Sequence, residues 1–251
     1  MNATHLRERK LHYGTWLSLG SAVVAELAAA SGFDWLLFDL EHGCGSEASL
    51  LPQLQATLGS SAASIVRVSA PHPDLIGRVL DWGADGIMVP HVSTAAEAEA
   101  CVRAMHYPPR GHRGFSRSVR AYGYGLRPPV PESIESPLFL AQIETIEAVE
   151  NAGAIAQVEG VDVLFVGPAD LQFDLKARPE RAVRDYAACL KEVARAAAEA
   201  GKSCGLLLRN PAELAQYREL GFTHLAIDSD LALLRAGYQQ VLQAARKESA
   251  V

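Results

Sequence analysis

A closed barrel of eight parallel strands wrapped by helices, a (β/α)8 TIM barrel of the α/β class, is the fold this sequence predicts. Short apolar runs alternate with helical segments eight times along the chain, the pattern of a parallel sheet. The 251 residues suit one α/β barrel, so 1–251 reads as a single domain. No G-x-G-x-x-G follows the first strand, which counts against an open dinucleotide-binding sheet.

The elements follow in order. Gly14–Leu19 and Trp35–Asp39 read as the first two strands, with an Ala-rich helix, Ser21–Ala30, between them. Ser46 is an expected N-cap for a helix reaching Leu58. Ala63–Val68 is the third strand and carries Arg67 near its end; Asp74–Trp82 is helical. Gly86–Val89 is the fourth strand, closed by Pro90-His91. Thr94, with Glu97 three residues on, forms a capping-box pattern that opens a helix to Met105. Tyr107 to Pro137 is rich in Gly, Pro and Arg and too long for an ordinary connection; it reads as one excursion without an apolar period. Leu138–Ile143 is the fifth strand, delivering Gln142 and Glu144, and Ile146–Ile155 is helical. Val161–Val166 is the sixth strand. Gly167-Pro168 ends it and opens a helix, because proline's missing N–H is harmless in a first turn. Arg181–Ala200 is a long helix stopped by Gly201. Ser203–Leu208, a helix over Pro211–Leu220, Thr223–Ile227 and a helix over Leu231–Ala245 complete the chain.

Composition narrows the function. A net charge of -6 argues against a nucleic-acid surface, which needs a clustered basic face. No run reaches the apolar length of a membrane span, and Met1–Lys10 lacks the apolar core of a secretory signal. Cys44, Cys101, Cys189 and Cys204 are scattered without metal-type spacing, so reduced thiols and a cytoplasmic location are expected. Cys44 lies beside His42 but reads as a bystander.

The polar residues collect at strand ends. Asp39, Glu41 and His42 follow the second strand, Arg67 ends the third, Gln142 and Glu144 end the fifth, and Asp170 follows the sixth. In a barrel these all lie on the C-terminal face, where catalytic groups sit. Taken singly, Asp170 and Glu144 could be helix caps, His42 a turn histidine and Arg67 a surface cation. Taken together they can be given roles. Glu144 and Asp170 are hard oxygen ligands suited to Mg²⁺ or Mn²⁺. The N–H groups near Ala169 and Asp170 can hold a carboxylate. Arg67 can stabilise charge on a keto or enolate oxygen. His42, oriented by Asp39 or Glu41, is a candidate general base. The set fits chemistry through a metal-stabilised enolate.

These stretches also resemble a known family. Gly14-Thr15-Trp16, Phe38-Asp39-Leu40-Glu41-His42-Gly43, Val66-Arg67-Val68, Gln142-Ile143-Glu144-Thr145 and Val166-Gly167-Pro168-Ala169-Asp170-Leu171 occur in the order seen in the HpcH/HpaI class II, metal-dependent pyruvate aldolases. Tyr107-Pro108-Pro109-Arg110-Gly111-His112-Arg113-Gly114 is a further landmark, and together the motifs cover nearly the whole chain.

The resemblance implies a barrel whose final helix is swapped, assembled as a homo-oligomer, usually a hexamer. It implies Mg²⁺, Mn²⁺ or Co²⁺ on Glu144 and Asp170, with Gln142 nearby. It implies pyruvate or a related 2-keto acid held by Arg67 and by the turn Gly167, Pro168, Ala169 and Asp170, with Trp16 as a wall. His42 acts in proton transfer with Asp39 as partner, and Asp81 from a neighbouring subunit supports it. The implied reaction is reversible cleavage of a 4-hydroxy-2-keto acid to pyruvate and an aldehyde. The substrate would be of the 2,4-dihydroxyhept-2-ene-1,7-dioate or 2-keto-3-deoxy sugar acid type. A second expectation is a relative that condenses oxaloacetate with acetyl-CoA, a siderophore-type citrate synthase. His91, the Arg-rich Gly114–Arg120 and Gln172-Phe173-Asp174 depart from the commonest pattern. The arginines from Arg110 to Arg120 could meet a second carboxylate or a neighbouring subunit. A Schiff-base mechanism needs a barrel lysine; of Lys10, Lys176, Lys191, Lys202 and Lys247, only Lys202 directly precedes a strand, at the wrong end.

Overall fold

Trp35–Asp39, Gly86–Val89, Leu138–Ile143 and Ser203–Leu208 are strands with the expected bounds in the computed structural model, which describes residues 3–127, 134–181 and 184–248. The strands are β1 His12–Leu17, β2 Trp35–Asp39, β3 Ala63–Arg67, β4 Gly86–Val89, β5 Leu138–Ile143, β6 Val163–Val166, β7 Ser203–Leu208 and β8 His224–Ser229. Each pairs in parallel with the next and β8 returns to β1, closing an eight-stranded barrel. The fold is the expected (β/α)8 barrel.

The surrounding helices are α1 Ala22–Ala30, α2 Glu47–Ala56, α3 Pro73–Asp81, α4 Ala95–Met105, α5 Ile146–Glu150, α6 Ala152–Gln157, α7 Pro168–Ala177, α8 Tyr186–Glu199, α9 Leu214–Glu219 and α10 Asp230–Glu248. Thr94 caps α4 through the expected reciprocal pair with Glu97. Local chemistry explains the departures. The single helix expected over Ile146–Ile155 breaks at Asn151, whose side chain donates to Ser93 O at 2.8 Å. The helix expected from Arg181 starts at Tyr186, because Asp185 caps it by accepting the Ala188 N–H at 2.8 Å. Residues 182–183 of that expected helix, and 128–133 of the long excursion, lie outside the described residues. Pro211–Glu213 is a 3-10 turn leading into α9.

Strand alternation divides the core. Successive side chains point to opposite faces, so Leu36 and Phe38 pack outward under the helices while Trp35 and Leu37 point into the barrel. Ile65, Met88, Leu140, Val163 and Phe165 join them inside. Gly14 makes room for this filling: a Cβ there would lie 2.2 Å from the Trp35 indole. The Trp35 and Phe165 rings meet edge to face at 6.0 Å, and truncating either to alanine should cost about 3–5 kcal/mol.

The N-terminal end of the barrel is plugged. Ala3 and Leu6, in and beside the 3-10 turn Thr4–Arg7, join the interior cluster. The Leu6 carbonyl lies 2.9 Å from His224 Nε2, and Arg7 donates to Asp162 at 3.0 Å. The C-terminal mouth is the open end.

α10 behaves differently from the other helices. Leu233, Leu234, Tyr238, Val241 and Leu242 remain exposed along it. They face Val24, Leu27 and Ala28 of α1 across an apolar groove of about 800 Å³. Among the described residues, no helix is long and apolar enough to cross a membrane.

Candidate active site

The alternation that fills the barrel also aims its polar ends. Trp35 and Leu37 face inward, and so does Asp39; Ile65 faces inward, and so does Arg67. The same series runs from Leu140 through Gln142 to Glu144, and from Phe165 to Gly167. Each ends at the C-terminal mouth. There Trp16, Asp39, His42, Arg67, Gln142, Gly167, Pro168, Ala169 and Asp170 surround one cavity of about 280 Å³.

Asp39 and Arg67 are paired across the β2–β3 register. Arg67 Nε donates to Asp39 Oδ1 at 2.9 Å and Nη2 to Oδ2 at 2.6 Å, the bidentate geometry natural to guanidinium and carboxylate. Trp16 Nε1 donates to Asp39 Oδ2 at 3.2 Å, and the Arg67 guanidinium lies 5.1 Å from the Trp16 ring centroid. The backbone N–H groups of Glu41 and His42 also donate to Asp39. Burial opposes ionisation of Asp39, but Arg67 and these donors outweigh it and hold its carboxyl below the usual range.

This engagement changes the expected partnership of His42. Asp39 is occupied by Arg67 and Trp16 and touches His42 only through the backbone N–H. The imidazole instead lies 3.7 Å from Glu41, with most of its surface in solvent. Glu41 Oε2 lies 2.7 Å from Arg67 Nη1 without an aligned hydrogen bond. Asp81 is not gathered with the others: it sits at the end of α3, bound to Arg113 at 2.5 Å.

Glu144 is buried, 1% exposed. Its Oε1 accepts the His91 backbone N–H at 2.6 Å and lies 3.0 Å from the His91 ring. Burial pushes the Glu144 carboxyl up to about 6; His91 works against that rise, while Asp170 and Glu41 add to it. Asp170 occupies the third position of α7, behind the N-cap Gly167 and Pro168, and is not the cap. Helix geometry leaves the first N–H groups of α7, including those of Ala169 and Asp170, without intrahelical acceptors. Gly167 permits the close approach between turn and carboxylate: a Cβ there would lie 2.6 Å from Glu144 Oε2 and 3.0 Å from Gln142 Nε2. Gln142 Oε1 is buried with no hydrogen-bond partner. A raised buried carboxylate, a second carboxylate nearby and an orphaned amide oxygen form an oxygen-rich set that fits a hard divalent cation.

The family model for HpcH/HpaI aldolase/citrate lyase matches residues 12–236. This chain belongs to that family. A 5-keto-4-deoxy-D-glucarate aldolase of Salmonella arizonae is 37% identical over 243 residues, 96% of this chain and 95% of the relative. A crystal structure of a family protein from Burkholderia cenocepacia J2315 superposes with a TM-score of 0.91 at 34% identity, covering 98% of this chain and 100% of that one. A citrate synthase structure is more distant in sequence: 26% identity, TM-score 0.83 and 98% coverage of both chains. As a member of the HpcH/HpaI aldolases, the protein is a carbon–carbon lyase.

Other expectations meet different outcomes in this family member. The arginines of the excursion lie away from the cavity. Arg113 binds Asp81 and covers the Tyr107 ring, Arg120 donates to the Trp82 and Leu54 carbonyls, and Arg110 donates to Ser136. Asp174 serves the fold by accepting the Ile146 N–H at 2.8 Å. Cys44 is exposed and outside the cavity lining. Sequence reasoning missed Ser18, Leu207, Arg209, Ser229 and Leu231, all lining the cavity. Arg209 follows β7 as Arg67 ends β3, so the strand-end reasoning already contained its signal. Asp230 was hidden, because its role is to accept the Ser18 and Leu19 N–H groups more than 200 residues away. A further cluster, His5, His12 and Asp34, brings ligand atoms within 4.8 Å of one another near the starts of β1 and β2, at the end opposite the cavity.

Proposed function

We propose that this protein cleaves a 4-hydroxy-2-keto acid of the 2-keto-3-deoxy sugar acid type reversibly to pyruvate and an aldehyde. One arrangement carries the reading. A fixed arginine, the N-terminus of α7 and Asp170 line one small cavity at the open end of the barrel, and the buried Glu144 carboxylate stands directly behind its Gly167 wall. The relative named for 5-keto-4-deoxy-D-glucarate supports the substrate type. Among the described residues, no lysine lines the cavity, which disfavours a Schiff-base route.

Glu144 and Asp170 would hold a divalent cation, Mg²⁺, Mn²⁺ or Co²⁺, with Gln142 beside it. Bound there, the cation supplies Lewis-acid polarisation of the keto acid. The N–H groups of Ala169 and Asp170 hold the substrate carboxylate. Arg67, kept rigid by Asp39 and Trp16, faces the negative charge that develops on the keto oxygen. The bond between C3 and C4 breaks; its electron pair goes to the C3 side, and the 4-hydroxyl loses its proton as the aldehyde forms. His42, beside Glu41, takes that proton directly or through water.

The reading extends to assembly. The exposed apolar residues of α10 and the groove along α1 support exchange of the final helix between copies, in a hexamer of the kind the family implies. In that arrangement a neighbouring copy covers the exposed His42 imidazole and brings its Asp81 near. The free, largely buried cysteines support a cytoplasmic location. A thioester-using citrate synthase is less well supported, because the Arg110–Arg120 segment that favoured it lies outside the cavity lining, with Arg113 and Arg120 fastened to the barrel helices.

Deuterium exchange at the pyruvate methyl group tests the reading. It should proceed with added Mg²⁺ or Mn²⁺, stop after chelation and accompany release of pyruvate from 4-hydroxy-2-keto acids. Full activity in rigorously metal-free protein, or borohydride trapping of pyruvate on a lysine, would rule it out.

A further inference from the structure

Two arginines line the cavity at the barrel mouth, Arg67 and Arg209. Arg67 ends β3 and Arg209 follows β7, four strands apart in a ring of eight, so they stand on opposite walls. Their surroundings differ. Arg67 is buried and held by Asp39 and Glu41. Arg209 is exposed and, among the described residues, makes no hydrogen bond or ion pair.

The direction of Arg209 follows from its strand. Leu207 packs with the interior cluster, and the residue two positions on shares its face. Of the nearby carboxylates, Asp170 lines the same cavity without an ion pair to Arg209, and two others serve the backbone. Asp228 accepts the Ser229 N–H at 2.9 Å, and Asp230 accepts from Ser18, Leu19 and Leu231. The other residues lining this side of the mouth, Ser18, Leu207, Ser229 and Leu231, are uncharged. An unpaired guanidinium therefore faces the cavity from across Arg67, the group assigned to the keto oxygen, and stands beside the α7 turn assigned to the substrate's first carboxylate. Its planar fork of donors matches a carboxylate.

We propose that Arg209 is a specificity residue that binds a second carboxylate, at the aldehyde end of the substrate. The second carboxylate that a 1,7-dioate or a glucarate substrate carries is thereby given its residue in this chain, and the aldehyde released keeps that acid group. This rests on the aldolase reading above and adds the chemistry of the distal end. It also relocates the second-carboxylate role from the Arg110–Arg120 segment, whose arginines lie outside the cavity lining and whose Arg113 and Arg120 are held by Asp81, Trp82 and Leu54.

The test compares aldol addition of pyruvate to succinic semialdehyde and to butanal, with Mg²⁺ added, in wild type, Arg209→Ala and Arg209→Lys. Pyruvate methyl exchange is measured in parallel. Wild type should prefer the acid-bearing aldehyde. A lost charge-assisted contact corresponds to about a 10–100-fold loss, so Arg209→Ala should lower kcat/KM for succinic semialdehyde by that factor, mainly through KM. Addition to butanal and methyl exchange should be unchanged, and Arg209→Lys should keep part of the preference. Equal use of both aldehydes by wild type, or an unchanged preference in Arg209→Ala, would overturn the role of Arg209 while leaving the aldolase reading intact. Absence of methyl exchange in wild type would overturn the aldolase reading and this inference with it.

Discussion

The ring of His91 and its own backbone N–H both meet one oxygen of Glu144, at 3.0 and 2.6 Å. His91 makes this double contact with φ at 55°, in the left-handed region. A non-glycine residue held there costs about 1–3 kcal/mol and persists where surrounding structure fixes it. Its Nε2 also lies 3.5 Å from Glu41, so one imidazole stands between two carboxylates of the site. His91→Ala should keep the backbone donor and lose the ring. Loss of an outer hydrogen-bonding partner typically weakens metal binding about 10–100-fold, and retention of the N–H places the expected loss near the lower figure. Titration of Mn²⁺ followed by calorimetry checks it; unchanged affinity would mean that the ring does not support Glu144.

Glu144 gives a pH prediction for the metal-free protein. Its ordinary carboxyl value is 4.5, and burial in the fold raises it to about 6. Below 4.5 both folded and unfolded chains are protonated there. Between 4.5 and about 6 the unfolded chain ionises first, so this group lowers stability as pH rises, with the full penalty present above about 6. Glu144→Gln should remove that falling limb and stabilise the chelated protein at pH 7 by roughly 1–2 kcal/mol, a tenfold change in proton affinity being worth about 1.4 kcal/mol. Divalent cations must displace the proton, so their affinity for wild type should weaken as pH falls through 6. Urea denaturation at pH 4.5 and 7, with and without chelator, measures both effects; an identical pH dependence in wild type and Glu144→Gln would refute the assignment.

Gly167 offers a sterically cleaner probe than removal of a ligand. An added methyl would meet Glu144 Oε2 at 2.6 Å and Gln142 Nε2 at 3.0 Å, while the backbone φ of -89° suits any residue. Gly167→Ala should therefore fold, displace the carboxylate and lose most metal-dependent exchange. Circular dichroism paired with Mn²⁺ titration separates the two consequences. Wild-type affinity in a folded Gly167→Ala protein would show that Glu144 does not need that close approach.

Much of this site was legible because barrel geometry converts sequence position into spatial position. A residue at the end of an inward-facing strand series must reach the mouth, so Asp39, Arg67 and Gln142 could be placed from period alone. Side-chain pairing was less legible. Nothing local in Asp39-Leu40-Glu41-His42 reveals that Asp39 binds Arg67, 28 positions away, while Glu41 is the carboxylate nearest the imidazole. Likewise, the Arg-rich excursion looked free in sequence, whereas Arg113 and Arg120 find their acceptors on α3, just after it and on α2. Helix bounds were missed where a side chain caps or tethers, as at Asp185 and Asn151.

Arg67 and His42 should separate charge stabilisation from proton transfer. Removing Arg67 leaves Asp39 buried without its main partner, and breaking a buried pair typically costs roughly 3–5 kcal/mol of stability. Arg67→Ala must therefore be read together with its denaturation curve, and Arg67→Lys supplies a variant that retains charge without the bidentate fork. If Arg67 faces the developing oxygen charge, its loss should lower turnover about 10²–10³-fold, as for one charge-stabilising donor. Both aldol cleavage and methyl exchange should fall, because both pass through the same charge on the keto oxygen. His42 predicts a different pattern. Loss of a general base commonly costs about 10²–10⁴-fold, so His42→Ala should slow cleavage while pyruvate binding survives on the cation and the α7 N–H groups. Folded Arg67→Lys exchanging methyl deuterium at the wild-type rate would remove Arg67's bidentate fork from charge stabilisation. Unimpaired cleavage in His42→Ala would move the general base to another group.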